Sequence, residues 1–428
     1  MKKFFLAAAA LASTVALNAQ VSVADIAADP CQSANNLRCY PADEIVPLTP
    51  APKGYKPFYI YYIGRHGSRY HAGESSYTKP LKMLQDAHDA HALTAKGEEV
   101  YQKAQFLYDD AQGRVGQLTD VGENQLRGIA DRMYHNYPKV FHDGAVLDCR
   151  TTTSHRVINT MWSFVERMKE LNPKLVVTRD AGNHEEFEWG GNTPEMEALV
   201  GKDSEYSRIS GQLFNEAVQE QRVMKLLFID PDSYVETTGL DAKRFVYDLY
   251  FLNGIVQDTD VDFDKWNFYD IFTPEELFNM SKITNYHFYV HYGVSEYSRA
   301  AKSPMPAAIV DLMVRYADEA IESGTPAATL RFCHDSNVGP LASFLKVPCA
   351  SSDQSDPDRL SDEYSASDVV PMATNFQLIF FRNSKGDIIV KPLFCEKEVK
   401  IPAKTDMYPY YRWEDMKAYL QSRVDETK

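Results

Sequence analysis

Apolar and polar residues occur in blocks along the chain, and these blocks predict strands that alternate with helices. The runs PFYIYYIG, GAVLDC and ATLRFC have the length and composition of buried strands, and NFQLIFFRN with DIIVKPLF is typical of a hairpin. Between them apolar residues recur at helical intervals. In LTDVGENQLRGIADRMYHNYPKVF one helical face is formed by Leu126, Ile129, Ala130, Met133 and Tyr134. Strands alternating with helices favour an α/β fold with a mostly parallel central sheet flanked by helices.

The pattern changes in the middle of the chain. Aromatic residues, acids and helix formers dominate there, as in AKRFVYDLYFLNGIV and TPEELFNMSKITNYHFYVHY. These segments predict a mostly helical insertion over residues 181–299. The α/β core would then consist of residues 20–180 and 300–428, and WEDMKAYLQSRV near the end of the chain would form its terminal helix.

The first residues, MKKFFLAAAALASTVALNAQ, have the pattern of a secretory signal peptide. Two lysines precede an apolar run, and small residues follow near Ala19. The run is short for a membrane span, which needs about 20 apolar residues, so a retained anchor is the less favoured alternative. We expect cleavage of residues 1–19 and a periplasmic or secreted bacterial protein without a membrane anchor.

The net charge restricts the partners of the protein. It is −15, and removal of residues 1–19 with Lys2 and Lys3 takes it to −17. Such a surface repels nucleic acid and anionic membranes. Any small anion that the protein binds must therefore be held by a local basic pocket.

Cysteine usage leaves the redox state open. An even number of cysteines in an exported protein permits disulfides: Cys31, Cys39, Cys149, Cys333, Cys349 and Cys395. Six cysteines allow fifteen complete pairings, and the sequence does not choose among them. Cys31 and Cys39 form the easiest local pair, whereas Cys149 and Cys333 lie in strand-like segments where buried thiols are expected.

Polar clusters follow three of the predicted strands at the point where each strand ends. YIYYIG leads to RHGSRY, AVLDC to RTTTSHRVIN, and TLRFC to HDSNVG. The carboxyl ends of neighbouring strands form the ligand crevice of an open α/β sheet, and helix N-termini there favour anions. We therefore expect the polar side chains of these clusters to converge on one pocket: Arg65, His66, Arg69, Arg156, His334 and Asp335.

These residue types suit phosphoryl transfer. The planar guanidinium donates paired hydrogen bonds to two phosphate oxygens and stabilises charge that develops on them. His66 is the candidate nucleophile, because neighbouring cations keep an imidazole neutral and able to attack. Gly67 would leave room for in-line attack, and Asp335 has the attributes of a general acid and base. Two half-reactions through a phosphohistidine would follow, without a metal or cofactor.

Each cluster alone is a weak signal. Exposed Arg-His pairs are common, an Asp at the position of Asp335 serves as a helix cap in many proteins, and Arg156 alone could be a surface charge. His88 and His91 have the spacing of a metal pair but lack a third ligand nearby. No Walker loop, GxGxxG or GxSxG motif is present.

Taken in order, the motifs resemble those of the histidine acid phosphatases, the larger branch of the histidine phosphatase superfamily. RHGSR is similar to the R-H-G-x-R signature, GQLTDVGENQ to a G-Q-L-T-x-x-G-x-x-Q segment, and HDSN to the distal His-Asp motif. CRTTTSHRVINT resembles an R-S-x-x-x-R-T segment, although Val157 stands where many relatives have Thr. The similarity extends from about residue 56 to 395.

The resemblance implies a helical cap formed by the insertion and a phosphomonoesterase with an acidic optimum. It implies that His66 is phosphorylated, that Asp335 donates the proton, and that the phosphate is held by Arg65, Arg69, Arg156 and His334. The alternative within this family is an inositol polyphosphate phosphatase or phytase. Relatives of that kind often carry His-Ala-Glu where this chain has His334-Asp335-Ser336. Lys79, Lys82 and Lys96 would suit such a substrate.

Two other classes stay open. A phosphotransferase or mutase would share the phosphohistidine but exclude water. A non-catalytic phospholigand-binding protein would need neither His66 nor Asp335. The expected partner in every case is a small phosphate ester.

Overall fold

A central sheet organises the protein in the computed structural model, which describes residues 21–184 and 193–428. The predicted signal peptide lies outside these residues. The sheet has eight strands: β1 Lys56–Arg65, β2 Val146–Thr151, β3 Val176–Ala181, β4 Ala328–Cys333, β5 Asn375–Arg382, β6 Ile388–Phe394, β7 Lys397–Glu398 and β8 Tyr411–Arg412.

The strand order is β3-β2-β4-β1-β5-β6-β7, and β8 also pairs with β6. The four strands β3, β2, β4 and β1 are mutually parallel, whereas β5 runs antiparallel to β1 and forms the predicted hairpin with β6. The α/β class and the central sheet are therefore confirmed. The sequence analysis did not predict β3, an exposed edge strand whose residues are too polar to stand out as a buried run.

Helices flank the sheet and also make up the insertion. They are α1 Val23–Ala28, α2 Ser75–Asp89, α3 Ala95–Ala111, α4 Asp120–Asn136, α5 His155–Leu171, α6 Pro194–Val200, α7 Glu205–Ala217, α8 Glu220–Leu227, α9 Pro231–Thr238, α10 Ala242–Gly254, α11 Phe263–Trp266, α12 Pro274–His291, α13 Glu296–Lys302, α14 Pro304–Ser323, α15 Asp335–Phe344, α16 Ala366–Val369 and α17 Trp413–Asp425. In the insertion, residues 193–299 contain helices and turns but no strand.

The sheet core is built as the pattern predicts. All six residues of β4 are buried, as is β1 from Tyr59 to Arg65, because each lies between two other strands. Helix α4 begins where Thr119 caps it by accepting a hydrogen bond from the Gly122 N–H, and it buries four of the five predicted face residues. The fifth, Tyr134, packs at the edge of the core.

A second hydrophobic cluster is separate from the sheet core. Its buried side chains come from α2 and α3 as well as from α8, α10 and α12 of the insertion. Examples are Leu84 of α2, Leu107 of α3 and Leu249 of α10. Residues before the insertion thus share its core, and the predicted division at residues 181–299 stays a prediction.

The polar, Pro-rich segment before β1 packs across both parts of the protein. Its short 3₁₀ segment Pro30–Leu37 contains Asn35 at φ 53°, in the left-handed region that Asn tolerates. The Asn35 side chain donates to the Ser281 carbonyl of α12 over 3.1 Å. This contact ties the segment to the insertion and positions the residue that follows, Asn36.

All six cysteines lie within the described residues and are free thiols, so none of the permitted disulfides is formed in this structure. Across residues 21–184 and 193–428, no helix combines the length and the apolar character needed to cross a bilayer.

Candidate active site

The three polar clusters do converge at one edge of the sheet. Strands β2, β4 and β1 are adjacent and parallel, and their ends are level: Thr151 is paired with Phe332, and Cys333 with Arg65. His66 therefore follows β1 at the same height at which His334 follows β4. The ring centroids of these two histidines are 5.7 Å apart.

Arg65 is fully buried at the end of β1. One guanidinium nitrogen, Nη1, donates to the carbonyls of Asn36 at 2.7 Å and Val370 at 2.6 Å. The other, Nη2, lies 3.1 Å from the Asp335 carboxylate, while Nε has no acceptor among the described residues. The backbone thus fixes the guanidinium and leaves a donor for a further oxyanion.

His66 is buried and held in one tautomer. Its Nδ1 lies 2.8 Å from the Gly67 carbonyl, which can only accept, so Nδ1 carries the hydrogen and Nε2 keeps its lone pair. Burial first, and then the neighbouring arginines, hold the pKa of His66 well below its usual range. The ring therefore stays neutral even in mild acid, the form in which an imidazole is able to attack.

Gly67 has a role that differs from the predicted one. A Cβ there would lie 2.5 Å from the Gly122 carbonyl oxygen and 2.8 Å from the Leu126 side chain, both on α4. A Cβ added at Gly122 would in turn overlap the Ser68 carbonyl oxygen. These two glycines let α4 touch the loop after β1, so the space beside Gly67 is filled by a helix rather than reserved for a substrate.

The other two arginines lie in the same electrostatic field. Arg69 follows in the loop after β1, donates Nη1 to the Tyr70 carbonyl over 2.8 Å, and has a pKa lowered to about 10 by burial and by Arg65 and Arg156. Arg156, in the first turn of α5, donates to His334 Nδ1 across 3.5 Å. In both residues the buried Nε has no acceptor in the described part of the chain.

His334 and Asp335 begin helix α15. His334 Nε2 lies 3.2 Å from the Thr152 hydroxyl, and burial and Arg156 lower the pKa of this ring to about 4. Burial alone would raise the pKa of Asp335, but Arg65 and the 3.2 Å hydrogen bond from Asn36 Nδ2 lower it to about 2. Asp335 is therefore ionised in the free protein.

Asn36 and a buried clamp on Ser68 were missed by the sequence analysis. Gln125 of α4 accepts from the Ser68 N–H at 2.9 Å and donates to its hydroxyl at 2.8 Å. The Ser68 hydroxyl donates to Asp258, which comes from the 3₁₀ turn Val256–Asp258 of the insertion. Gln125 belongs to the GQLTDVGENQ segment but was given no role, and Asp258 stands among other acids in a stretch with no distinguishing pattern.

The insertion also reaches the site through α12. His287 Nδ1 lies 2.8 Å from the Tyr206 hydroxyl of α7, and burial lowers the pKa of His287 to about 4 against the opposing charge of Asp335. Two of the three lysines considered for a polyphosphate substrate are paired elsewhere. Lys82 contacts Asp86, and Lys96 contacts Glu99 and Asp270.

The arrangement suits a tetrahedral oxyanion. Three guanidiniums carry N–H donors without acceptors among the described residues, and a neutral imidazole keeps its Nε2 lone pair. A carboxylate stands beside Arg65 at the N-terminus of α15. Among residues 21–184 and 193–428 no three His, Cys, Asp or Glu side chains are grouped as a metal would need. His88 instead pairs with Glu98 at 2.7 Å.

This α/β fold, with arginines and histidines gathered at one edge of the sheet, is that of a phosphatase scaffold, and the sequence agrees. Residues 60–394 match the family described as histidine phosphatase superfamily (branch 2), so the chain belongs to that family. Membership supports phosphatase activity, the hydrolysis of a phosphate ester. A comparison with curated protein sequences finds no match.

Solved structures share the fold at low identity. The multiple inositol polyphosphate phosphatase of Bifidobacterium longum with inositol hexasulfate aligns with a TM-score of 0.75 at 16% identity, over 91% of this chain and 97% of that one. A phytase from D. castellii aligns with a TM-score of 0.64 at 14% identity, over 93% and 86%. The phytase of Klebsiella sp. ASR1 gives 0.52 at 11% identity, over 87% and 97%.

Proposed function

We propose that the protein is a phosphomonoesterase that works through a phosphohistidine on His66. The observation that carries this proposal is the orientation of His66. Its Nδ1–H is held by the Gly67 carbonyl, which leaves Nε2 as the attacking atom beside three arginines. A protein that only binds phosphate has no need of a nucleophile fixed in this tautomer.

In the first half-reaction the arginine cluster holds the phosphoryl group and Nε2 of His66 attacks phosphorus. The bond to the alcohol oxygen breaks, and that oxygen takes a proton from Asp335. Arg65, Arg69 and Arg156 stabilise the charge on the phosphoryl oxygens. His334, whose Nδ1 accepts from Arg156, would turn its Nε2–H from the Thr152 hydroxyl to the phosphoryl group. In the second half-reaction water attacks phosphorus and gives a proton to Asp335. The bond between phosphorus and Nε2 breaks, inorganic phosphate leaves and His66 regains its neutral form.

Asp335 must be protonated to act as the acid, although its pKa in the free site is about 2. Burial raises that pKa, and Arg65, the hydrogen bond from Asn36, Arg69 and His334 bring it down. A bound phosphate dianion neutralises the guanidiniums and places negative charge near the carboxylate, so both effects raise the pKa of Asp335. Substrate binding thus takes up the proton that the leaving group needs, and this favours an acidic optimum.

Inositol polyphosphate hydrolysis is the second candidate function. It is favoured by the similarity to the Bifidobacterium longum enzyme across most of both chains. The ion pairs of Lys82 and Lys96 argue against a ring of free lysines of the kind a highly charged substrate would use. We further propose export to the periplasm or the exterior on the basis of residues 1–19.

The test is turnover of a panel of phosphate esters, including p-nitrophenyl phosphate and phytate, by the wild-type protein and His66→Ala from pH 3 to 8. We expect wild-type turnover and none by a folded His66→Ala variant. Activity of that variant at the wild-type level would remove the assignment of the nucleophile. The preferred ester in the panel decides between the two candidate functions.

A further inference from the structure

A buried carboxylate from the insertion faces the back of the R-H-G-S-R loop. Asp258 is fully buried, and its Oδ1 accepts the Ser68 hydroxyl hydrogen and lies 3.3 Å from the Cys39 thiol. Its Oδ2 has no hydrogen-bond partner among the described residues. Ser68 stands between His66 and Arg69, so Asp258 holds the loop at the residue that links the nucleophile to an arginine.

The same carboxylate acts on the charge of the site. Two carboxylates, Asp335 and Asp258, oppose the positive charge of Arg69, and Asp258 also interacts with Arg65. Asp335 pairs directly with Arg65 at 3.1 Å, whereas Asp258 reaches the arginines only through space. Asp258 is therefore a source of negative charge that does not touch the bound oxyanion.

We propose that Asp258 is a positioning residue that sets the anion affinity of the site, by anchoring Ser68 and by offsetting the positive charge of Arg65 and Arg69. The inference rests on the proposed function, because it assumes that the arginine cluster binds a phosphate-like oxyanion. An insertion residue would then tune a pocket that is otherwise built by the sheet.

The titration of Asp258 would make this tuning depend on pH. Burial raises the pKa of Asp258 to about 7, against the opposing effects of Ser68, Cys39 and the arginines. Four elements place titratable or charged groups within its field: Cys31 and Cys39 of the N-terminal segment, Arg65 and Arg69 of the loop, Tyr77 of α2 and Tyr269 of the insertion. Burial raises the thiol and phenol pKa values, so these groups stay neutral near pH 7. Arg69 keeps its charge at these pH values, because its pKa is about 10.

Sulfate is a suitable probe because it stays a dianion from pH 5.5 to 8.5. Its affinity is measured by calorimetry for the wild-type protein, Asp258→Asn and Ser68→Ala, with thermal melting as the control for folding. Asp258→Asn removes the charge but keeps a side-chain oxygen that accepts from Ser68. Ser68→Ala removes the anchor but keeps the charge.

We expect wild-type affinity for sulfate to fall as pH rises through about 7, as Asp258 becomes ionised. Asp258→Asn should bind sulfate like the wild type at pH 5.5 and roughly three- to tenfold more tightly at pH 8.5, the size expected for one charge acting at a distance. Ser68→Ala should bind more weakly at both pH values. Because the two variants should change sulfate affinity in opposite directions, the experiment separates the effect of the Asp258 charge from the effect of anchoring the loop.

Weaker binding by Asp258→Asn, or a pH profile parallel to that of the wild type, would overturn the inference. If Asp258→Asn does not fold, the wild-type profile decides, because an affinity independent of pH from 5.5 to 8.5 is incompatible with this role. A wild-type protein that binds no sulfate and turns over no phosphate ester would contradict the proposed function itself.

Discussion

Because helix α4 packs directly against Gly67, we predict that adding a single methyl group at this position impairs the site. In Gly67→Ala the new Cβ would lie 2.5 Å from the Gly122 carbonyl oxygen and 2.8 Å from the Gly122 Cα. An ordinary contact is about 3.4 Å, so the loop or the helix must move by roughly 0.6–0.9 Å. Neither can yield easily, because Gly122 also meets the Ser68 backbone.

The displacement falls on the residue next to His66. A misplacement of about 1 Å costs roughly 100-fold in rate, and overpacking costs about 1–3 kcal/mol of stability. We therefore expect kcat/KM for p-nitrophenyl phosphate to fall roughly 10- to 100-fold in Gly67→Ala, with a lower melting temperature. The assay is steady-state turnover on protein whose folding is verified by circular dichroism.

Gly211→Ala is the matched control. Gly211 lies on the exposed side of α7, and a Cβ there would meet nothing within 4 Å. Ala should raise helix stability by about 1 kcal/mol and leave turnover unchanged. Activity of Gly67→Ala within threefold of the wild type would refute the view that α4 sets the position of the loop.

Two further predictions concern proton transfer and pH. Asp335→Asn should slow hydrolysis of sugar phosphates by roughly 100-fold or more but that of p-nitrophenyl phosphate far less, because nitrophenolate leaves without a proton; equal slowing of both esters would contradict the role of a proton donor. Since the pKa of His66 is held well below 6.5, the nucleophile stays neutral on acidification. Wild-type kcat/KM, corrected for substrate ionisation, should not fall from pH 7 to pH 5, and a decline centred near pH 6.5 would count against the assignment.

The convergence of the main site residues could be predicted because it follows from topology. Residues after the carboxyl ends of parallel neighbours must lie together, and β2, β4 and β1 are such neighbours. The sequence did not supply the strand order, but each of the three strands carried its own polar cluster, and the structure makes them neighbours. Arg65 and Asp335, 270 positions apart in the numbering, are thus joined by a 3.1 Å ion pair.

The supporting residues could not be predicted because their signals are tertiary. Asn36 lies in an aperiodic segment, and only the folded chain shows that it donates to Asp335. Asp258 resembles any other acid of the insertion until burial and the Ser68 hydroxyl distinguish it. Gly67 was noted from the sequence, but its reason depends on the helix that packs against it. Whether the cysteines pair also depends on the folded geometry, which the count of cysteines does not reveal; all six are free thiols.

Trapping the phosphorylated enzyme tests the central claim most directly. Wild-type protein is mixed with a phosphate ester for milliseconds, quenched in base to preserve phosphohistidine, digested and analysed by mass spectrometry. The account predicts a phosphoryl group on Nε2 of His66, because Nδ1 is held by the Gly67 carbonyl. Hydrolysis with no phosphoryl group on His66, or with the group on another residue, would contradict it.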